Sequence, residues 1–178
     1  MNEKRGMATP HPYRFAAILG IVVLGVIGLA WMAAFAPVAN AAGDSIVVIV
    51  NKANPVENLS MADLKKLYLS DRSRWDTGNA VAPVILPAGT PERTAFLKAV
   101  CAMNDAELSK YFLKAAFTGK SATPPKELGS AADVIGFVAG SPGAIGFVKA
   151  GDLPAGAAVK AVKVEGAAAS DAGYKLKM

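Results

Sequence analysis

Residues 82–100, APVILPAGTPERTAFLKAV, constrain the fold of this chain more than any other stretch. Ala82 to Leu86 is apolar and tolerant of extended backbone, and Pro87 bounds it, so the run predicts a short buried strand. Ala88 and Gly89 supply a turn in which the backbone can take unusual angles. Thr90 suits a helix N-cap and Pro91 a first helical position, where its missing N–H would have no partner in any case. Glu92 and Arg93 follow in the first turn, and Phe96, Leu97 and Val100 make one apolar stripe at helical spacing. A strand feeding a glycine turn and a helix start leaves backbone N–H groups pointing outward, which is the geometry of an oxyanion site. The same geometry also serves an ordinary strand-to-helix connection.

The flanking segments read as further pieces of an α/β domain. SIVVIVN, Ser45 to Asn51, is a continuous β-branched run of the kind buried on both faces of a sheet. Lys52 to Asn58 is a polar loop, and Ser60 with Asp63 is expected to cap a helix reaching about Leu69. Ser70 to Ala80 is a polar loop around Trp75, in which Arg72 and Arg74 are either solvated or form the edge of a ligand site. Asn104 and Asp105 cap a predicted helix from Ala106 to about Phe117. The loop from Thr118 to Leu128 contains Gly119-Lys120-Ser121, but it lacks the upstream glycines of a phosphate-binding loop and follows a helix, so no nucleotide site is expected. Ser130 caps a short helix over Ala131 to Ala139, closed by Gly140. Ala144 to Val148 and the alternating Val159 to Val164 are predicted strands, and Gly166 to Met178 reads as a weakly ordered tail. The expected order is β-α-β-α-α-α-β-β, with a mixed sheet and no internal repeat.

Residue supply narrows the chemistry. His11 is the one histidine and Cys101 the one cysteine among 178 residues. Beyond Ala41 there is no histidine, which excludes histidine triads and histidine metal sites there, and an internal disulfide is impossible. Cys101 is expected to be a buried structural thiol. The net charge is +5, carries no basic cluster interleaved with aromatics, and so does not point to nucleic acid. Lys4, Arg5 and Arg14 precede an apolar run from Phe15 to Ala36, followed by Pro37 and Ala39-Asn40-Ala41. This is the pattern of a bacterial-type secretory signal cleaved before Ala42, and the apolar run is also long enough to act as a membrane anchor if retained. The expected organisation is a signal segment over 1–41, an α/β domain over 42–165 and a tail over 166–178.

SIVVIVNKANPVENLSMADLKKLYL, PVILPAGTPERTAFLKAV and SPGAIGFV, with the closing VKAVKV strand, resemble the phosphate ABC-transporter substrate-binding proteins. The segment Ser141 to Val148 is similar to that family's SPGAIGYV signature, and the likeness runs from about Ser45 to Val164. The resemblance implies a type II periplasmic-binding-protein-like α/β sandwich. At about half the family's length, the chain is expected to be a single-lobe member preceded by a signal helix. It places Ala88-Gly89-Thr90 where the family has Ser-Gly-Thr, and Val84 and Ile85 near where the family has an arginine. Gly89, Thr90 and Arg93 are therefore the expected anion ligands, with Ser141 and Gly143 as further candidates from the signature. The implied ligand is phosphate or a similar small oxyanion, and the implied partner an ABC permease or other membrane protein, in the periplasm. A second reading is a ligand-free interaction module that docks on a membrane sensor, transporter or porin. Enzyme activity and a bound cofactor are not expected.

Overall fold

A computed structural model describes residues 44–178, which lie within the unit Asn40–Met178. The expected signal and its cleavage site lie outside the described residues. Ten elements are named here in chain order. They are β1 (Ile46–Asn51), β2 (Asn58–Leu59), α1 (Met61–Tyr68), β3 (Ala82–Ile85), α2 (Pro91–Phe96), α3 (Asp105–Phe117), β4 (Lys126–Glu127), α4 (Ala131–Gly140), β5 (Ala144–Lys149) and β6 (Val159–Val164). The strands form one six-stranded mixed sheet in the order β2-β6-β1-β5-β3-β4.

The β-branched β1 is buried along its whole length because it lies inside the sheet, antiparallel to both β5 and β6. β3 runs parallel to β5, with Ala82 opposite Ala144 and Pro83 opposite Ile145. Both sheet edges are short. β2 pairs with β6 only through Asn58 and Leu59, and β4 pairs with β3 only through Lys126 and Glu127. These two-residue strands fall in stretches whose composition reads as loop. They exist because a neighbouring strand offers backbone partners, which no local pattern reveals.

Helices cover both faces. Successive residues of β5 point to opposite sides. Phe147 stacks on Phe96 of α2 with ring centroids 4.0 Å apart, and Tyr68 of α1 meets Phe96 edge-on at 4.7 Å. The Tyr68 hydroxyl donates to the Val84 carbonyl at 3.2 Å, which satisfies its polar tip inside this aromatic cluster. On the other face Gly146 lets α4 approach the sheet. A Cβ placed there would lie 2.7 Å from Val134 Cγ1 and 2.9 Å from Val84 Cγ2.

The caps are as the sequence predicts for α1, α3 and α4. Ser60 and Asp63 form a reciprocal capping box, Asn104 and Glu107 form another, and Ser130 accepts from the Asp133 amide. After Phe96 the helix widens into a π-helical turn over Leu97–Cys101 and ends at Ala102 in the left-handed region. The C-terminal stretch corrects the expectation of a weakly ordered tail. Tyr174 and Leu176 are buried, Tyr174 donates its hydroxyl to the Ile46 carbonyl at 2.8 Å, and the Leu176 carbonyl accepts from the Ile46 amide at 2.9 Å. Two apolar side chains spaced by one residue fasten a chain end to a sheet, and that signal is too short to stand out from a glycine- and alanine-rich neighbourhood.

Candidate functional site

The turn after β3 is built as the sequence predicts, but its side chains face elsewhere. Gly89 has φ +86°, in the left-handed region, and is exposed. Thr90 occupies the N-cap position of α2, yet its hydroxyl accepts no first-turn amide. The Thr90 hydroxyl instead donates back to the Pro87 carbonyl at 2.9 Å, and the Thr90 amide reaches the same oxygen at 3.3 Å. The Thr90 carbonyl accepts the Thr94 amide, which leaves the amides of Gly89, Glu92 and Arg93 without an acceptor among the described residues. The turn thus offers an anion backbone donors and the positive end of a short helix.

Arg93, expected as the cation of this turn, is turned inward. It is buried; its Nε lies 2.6 Å from Asp105 Oδ1, and its Nη1 lies 2.6 Å from Glu127 Oε2 and 2.8 Å from the Leu86 carbonyl. The guanidinium ties together the end of β3, the first residue of α3 and the edge strand β4. Its charge is already met by two carboxylates, so the side chain is a structural clamp in this arrangement. The partners Asp105 and Glu127 come from distant stretches and carry no local sign of this role.

Ser141 and Gly143 lie at the other end of the sheet. β3 and β5 are parallel; Gly89 follows the C-terminal end of β3, whereas Ser141 and Gly143 precede the N-terminal end of β5. The structure therefore does not bring the two candidate groups onto one ion. The Ser141 carbonyl accepts the Ala144 amide at 3.0 Å, and the Gly143 carbonyl accepts both the Ala82 amide at 3.0 Å and Trp75 Nε1 at 2.9 Å. A Cβ on Gly143 would fall 2.0 Å from the Ala80 carbonyl oxygen, so this glycine is required by close backbone approach. Trp75, in a loop that reads as solvated or as a ligand edge, is instead buried against this turn, while Arg72 pairs with the exposed Asp76 at 2.6 Å.

Cys101 is buried, and desolvation pushes its thiol up to about 11, consistent with a packing role. Among the described residues no cluster of three or more histidine, cysteine or carboxylate side chains is placed to hold a metal ion, and no helix is long and apolar enough to cross a membrane.

No family model and no curated protein matches the chain. Solved structures do. A Clostridium perfringens protein classed as a phosphate ABC transporter substrate-binding protein, solved with phosphate bound, is similar over 71% of this chain at TM-score 0.57 and 24% identity. An ABC-type phosphate transport receptor from Vibrio cholerae is similar over 70% at TM-score 0.56 and 22% identity. The described residues share the fold of the matching part of these structures. The chain spans about half the length of these structures, 47% of each. At these identities the likeness fixes the architecture of the described residues, a mixed sheet covered by helices, and the ligand has to be argued from the site itself.

Proposed function

We propose that this chain carries one lobe of a substrate-binding protein of the phosphate class, exported to the periplasm, and that it binds a small oxyanion at the turn Gly89–Arg93. The observation that carries the reading is the fold likeness to phosphate-transport proteins, one of them solved with phosphate bound. The unpaired amides of Gly89, Glu92 and Arg93 supply the chemistry. In this reading residues 1–41 are a signal segment, residues 42–178 are the exported part, and a membrane protein such as an ABC permease receives the anion. The role is one of binding, with no reaction catalysed.

Because Thr90 and Arg93 are committed to Pro87, Asp105 and Glu127, backbone groups do the binding, and the affinity is expected near the millimolar range, about −4 kcal/mol. The test is a phosphate titration of the full-length chain in mild non-ionic detergent, followed by calorimetry and by amide chemical shifts, with sulfate as control. Saturating shifts at Gly89, Glu92 and Arg93 are expected. Glu92→Gln should tighten binding about threefold, since it removes a negative charge from the first helical turn. Flat heats together with unmoved turn amides would end this reading and leave the interaction module.

A further inference from the structure

A groove of about 400 Å³ opens beside the uncovered edge of β3, away from the Gly89 turn. The edge strand β4 shields only Val84 and Ile85, so Ala82 and Pro83 form the floor. Leu67 from one face of the sheet and Phe137 from the other make apolar walls. Pro83 has no N–H, and Pro124 and Pro125 precede β4, so a peptide strand could not add to the sheet here by a regular backbone ladder. Recognition in this groove has to come from side chains.

The charge of the lining is one-sided. Among the described residues Arg72 and Lys126 are its ionisable side chains, and no carboxylate lines it. Arg72 spends Nη2 on the exposed Asp76 and Nε on the Arg74 carbonyl, leaving Nη1 without an acceptor among the described residues. On its other side Arg72 borders a second pocket with Asp63 and Asp76, and its charge, after the hydrogen bond from Ser60, helps hold the Asp63 carboxyl below its usual value. Asp76 is exposed and water screens that pair, so the guanidinium is only partly neutralised. Lys126 Nζ sits 4.6 Å from the centroid of the Phe137 ring and meets no carboxylate among the described residues. Ser73, Ser121 and Thr123 add hydroxyls to the rim.

The Leu67 side of the groove is tied to its rim at a strained residue. Ser70 follows the end of α1 with φ +59°, a position that usually takes glycine, and its hydroxyl donates to the Thr123 carbonyl at 2.5 Å. A serine there accepts backbone strain and gains a strap from the α1 end to the segment before β4.

We propose that this groove binds an organic anion with an apolar body, of the aryl phosphate class: the anionic end meets Arg72 and Lys126, and the body lies against Leu67, Pro83 and Phe137. Inorganic phosphate would satisfy the cations and leave the apolar walls bare. The proposal is independent of the Gly89 turn.

Phenyl phosphate is the probe, titrated into the full-length chain by calorimetry and amide shifts, with inorganic phosphate and phenol as controls. Saturable binding at least tenfold tighter than either control is expected, with shifts at Ser73, Ser121 and Lys126. The double variant Arg72→Gln/Lys126→Gln should lose at least tenfold in affinity with an unchanged far-ultraviolet spectrum. Phe137→Leu should reduce the preference over inorganic phosphate. Phenyl phosphate binding no tighter than inorganic phosphate, shifts confined to the Gly89–Arg93 turn, or a folded double variant of full affinity would each overturn the proposal.

Discussion

Arg93 Nε lies 2.6 Å from Asp105 Oδ1, which locks the buried side chain of one helix to the first residue of the next. With Glu127 on the other arm of the guanidinium, this is a three-element junction. Arg93→Met should cost about 2–3 kcal/mol, below the 3–5 kcal/mol of a fully buried pair because both carboxylates reach water. Denaturant melts would check it, and a loss under 0.5 kcal/mol would contradict the clamp. Phosphate affinity should change far less than stability, since the side chain faces away from the turn.

Gly146 is the tightest point between α4 and the sheet. Gly146→Ala drives a methyl against Val134 and Val84, whose stiff branched side chains cannot swing away, and should cost about 1–3 kcal/mol. Gly146→Val should cost more than the alanine variant. Thermal melts of the pair decide this, and a melting temperature unchanged in Gly146→Val would refute it.

The C-terminal end is expected to contribute to stability despite its composition. Ending the chain at Gly173 removes the buried Tyr174 and Leu176 together with two hydrogen bonds to Ile46. At about 1.5–3 kcal/mol per buried side chain, the truncation should cost roughly 3–6 kcal/mol. Protease resistance of β1 should fall in parallel, and a truncated chain as resistant as the full one would count against the docking.

Alkaline pH should destabilise the fold. Burial pushes the Cys101 thiol up to about 11 and the Tyr174 hydroxyl up to about 12. Above pH 9 the unfolded chain releases protons that the native chain retains, so raising the pH favours unfolding. Stability should hold through neutral pH, begin to fall near pH 9 and keep falling toward pH 12, with the thiol contributing on the order of 1–3 kcal/mol. Melts at pH 7, 9 and 10.5 test the direction. Cys101 should also resist alkylation in the native state at pH 8.

Much of this architecture is legible because its signals are local. Ser60 with Asp63, Asn104 with Asp105, and Ser130 announce three helix starts, SIVVIVN announces a strand as a continuous β-branched run, and VKAVKV announces one by its alternation. What escapes is set by distant partners. β2 and β4 exist only because β6 and β3 offer them backbone groups. Arg93 is read as an anion ligand because it stands beside the turn, but the carboxylate of Glu127, 34 residues on, takes its charge. Thr90 fits the N-cap position, yet the carbonyl of Pro87 competes successfully for its hydroxyl. The turn is thus visible in the sequence, while the direction its side chains face depends on contacts that spacing cannot reveal.

The short edge strands described above have a consequence for any assembly. A sheet whose borders are only two residues long, one of them backed by Lys160 and Lys163 of β6, gives another chain little backbone to continue. If a second lobe or a second copy completes this molecule, it should therefore join through loops and side chains. The two halves would then be free to hinge apart, and the sheet would stay intact as they did so.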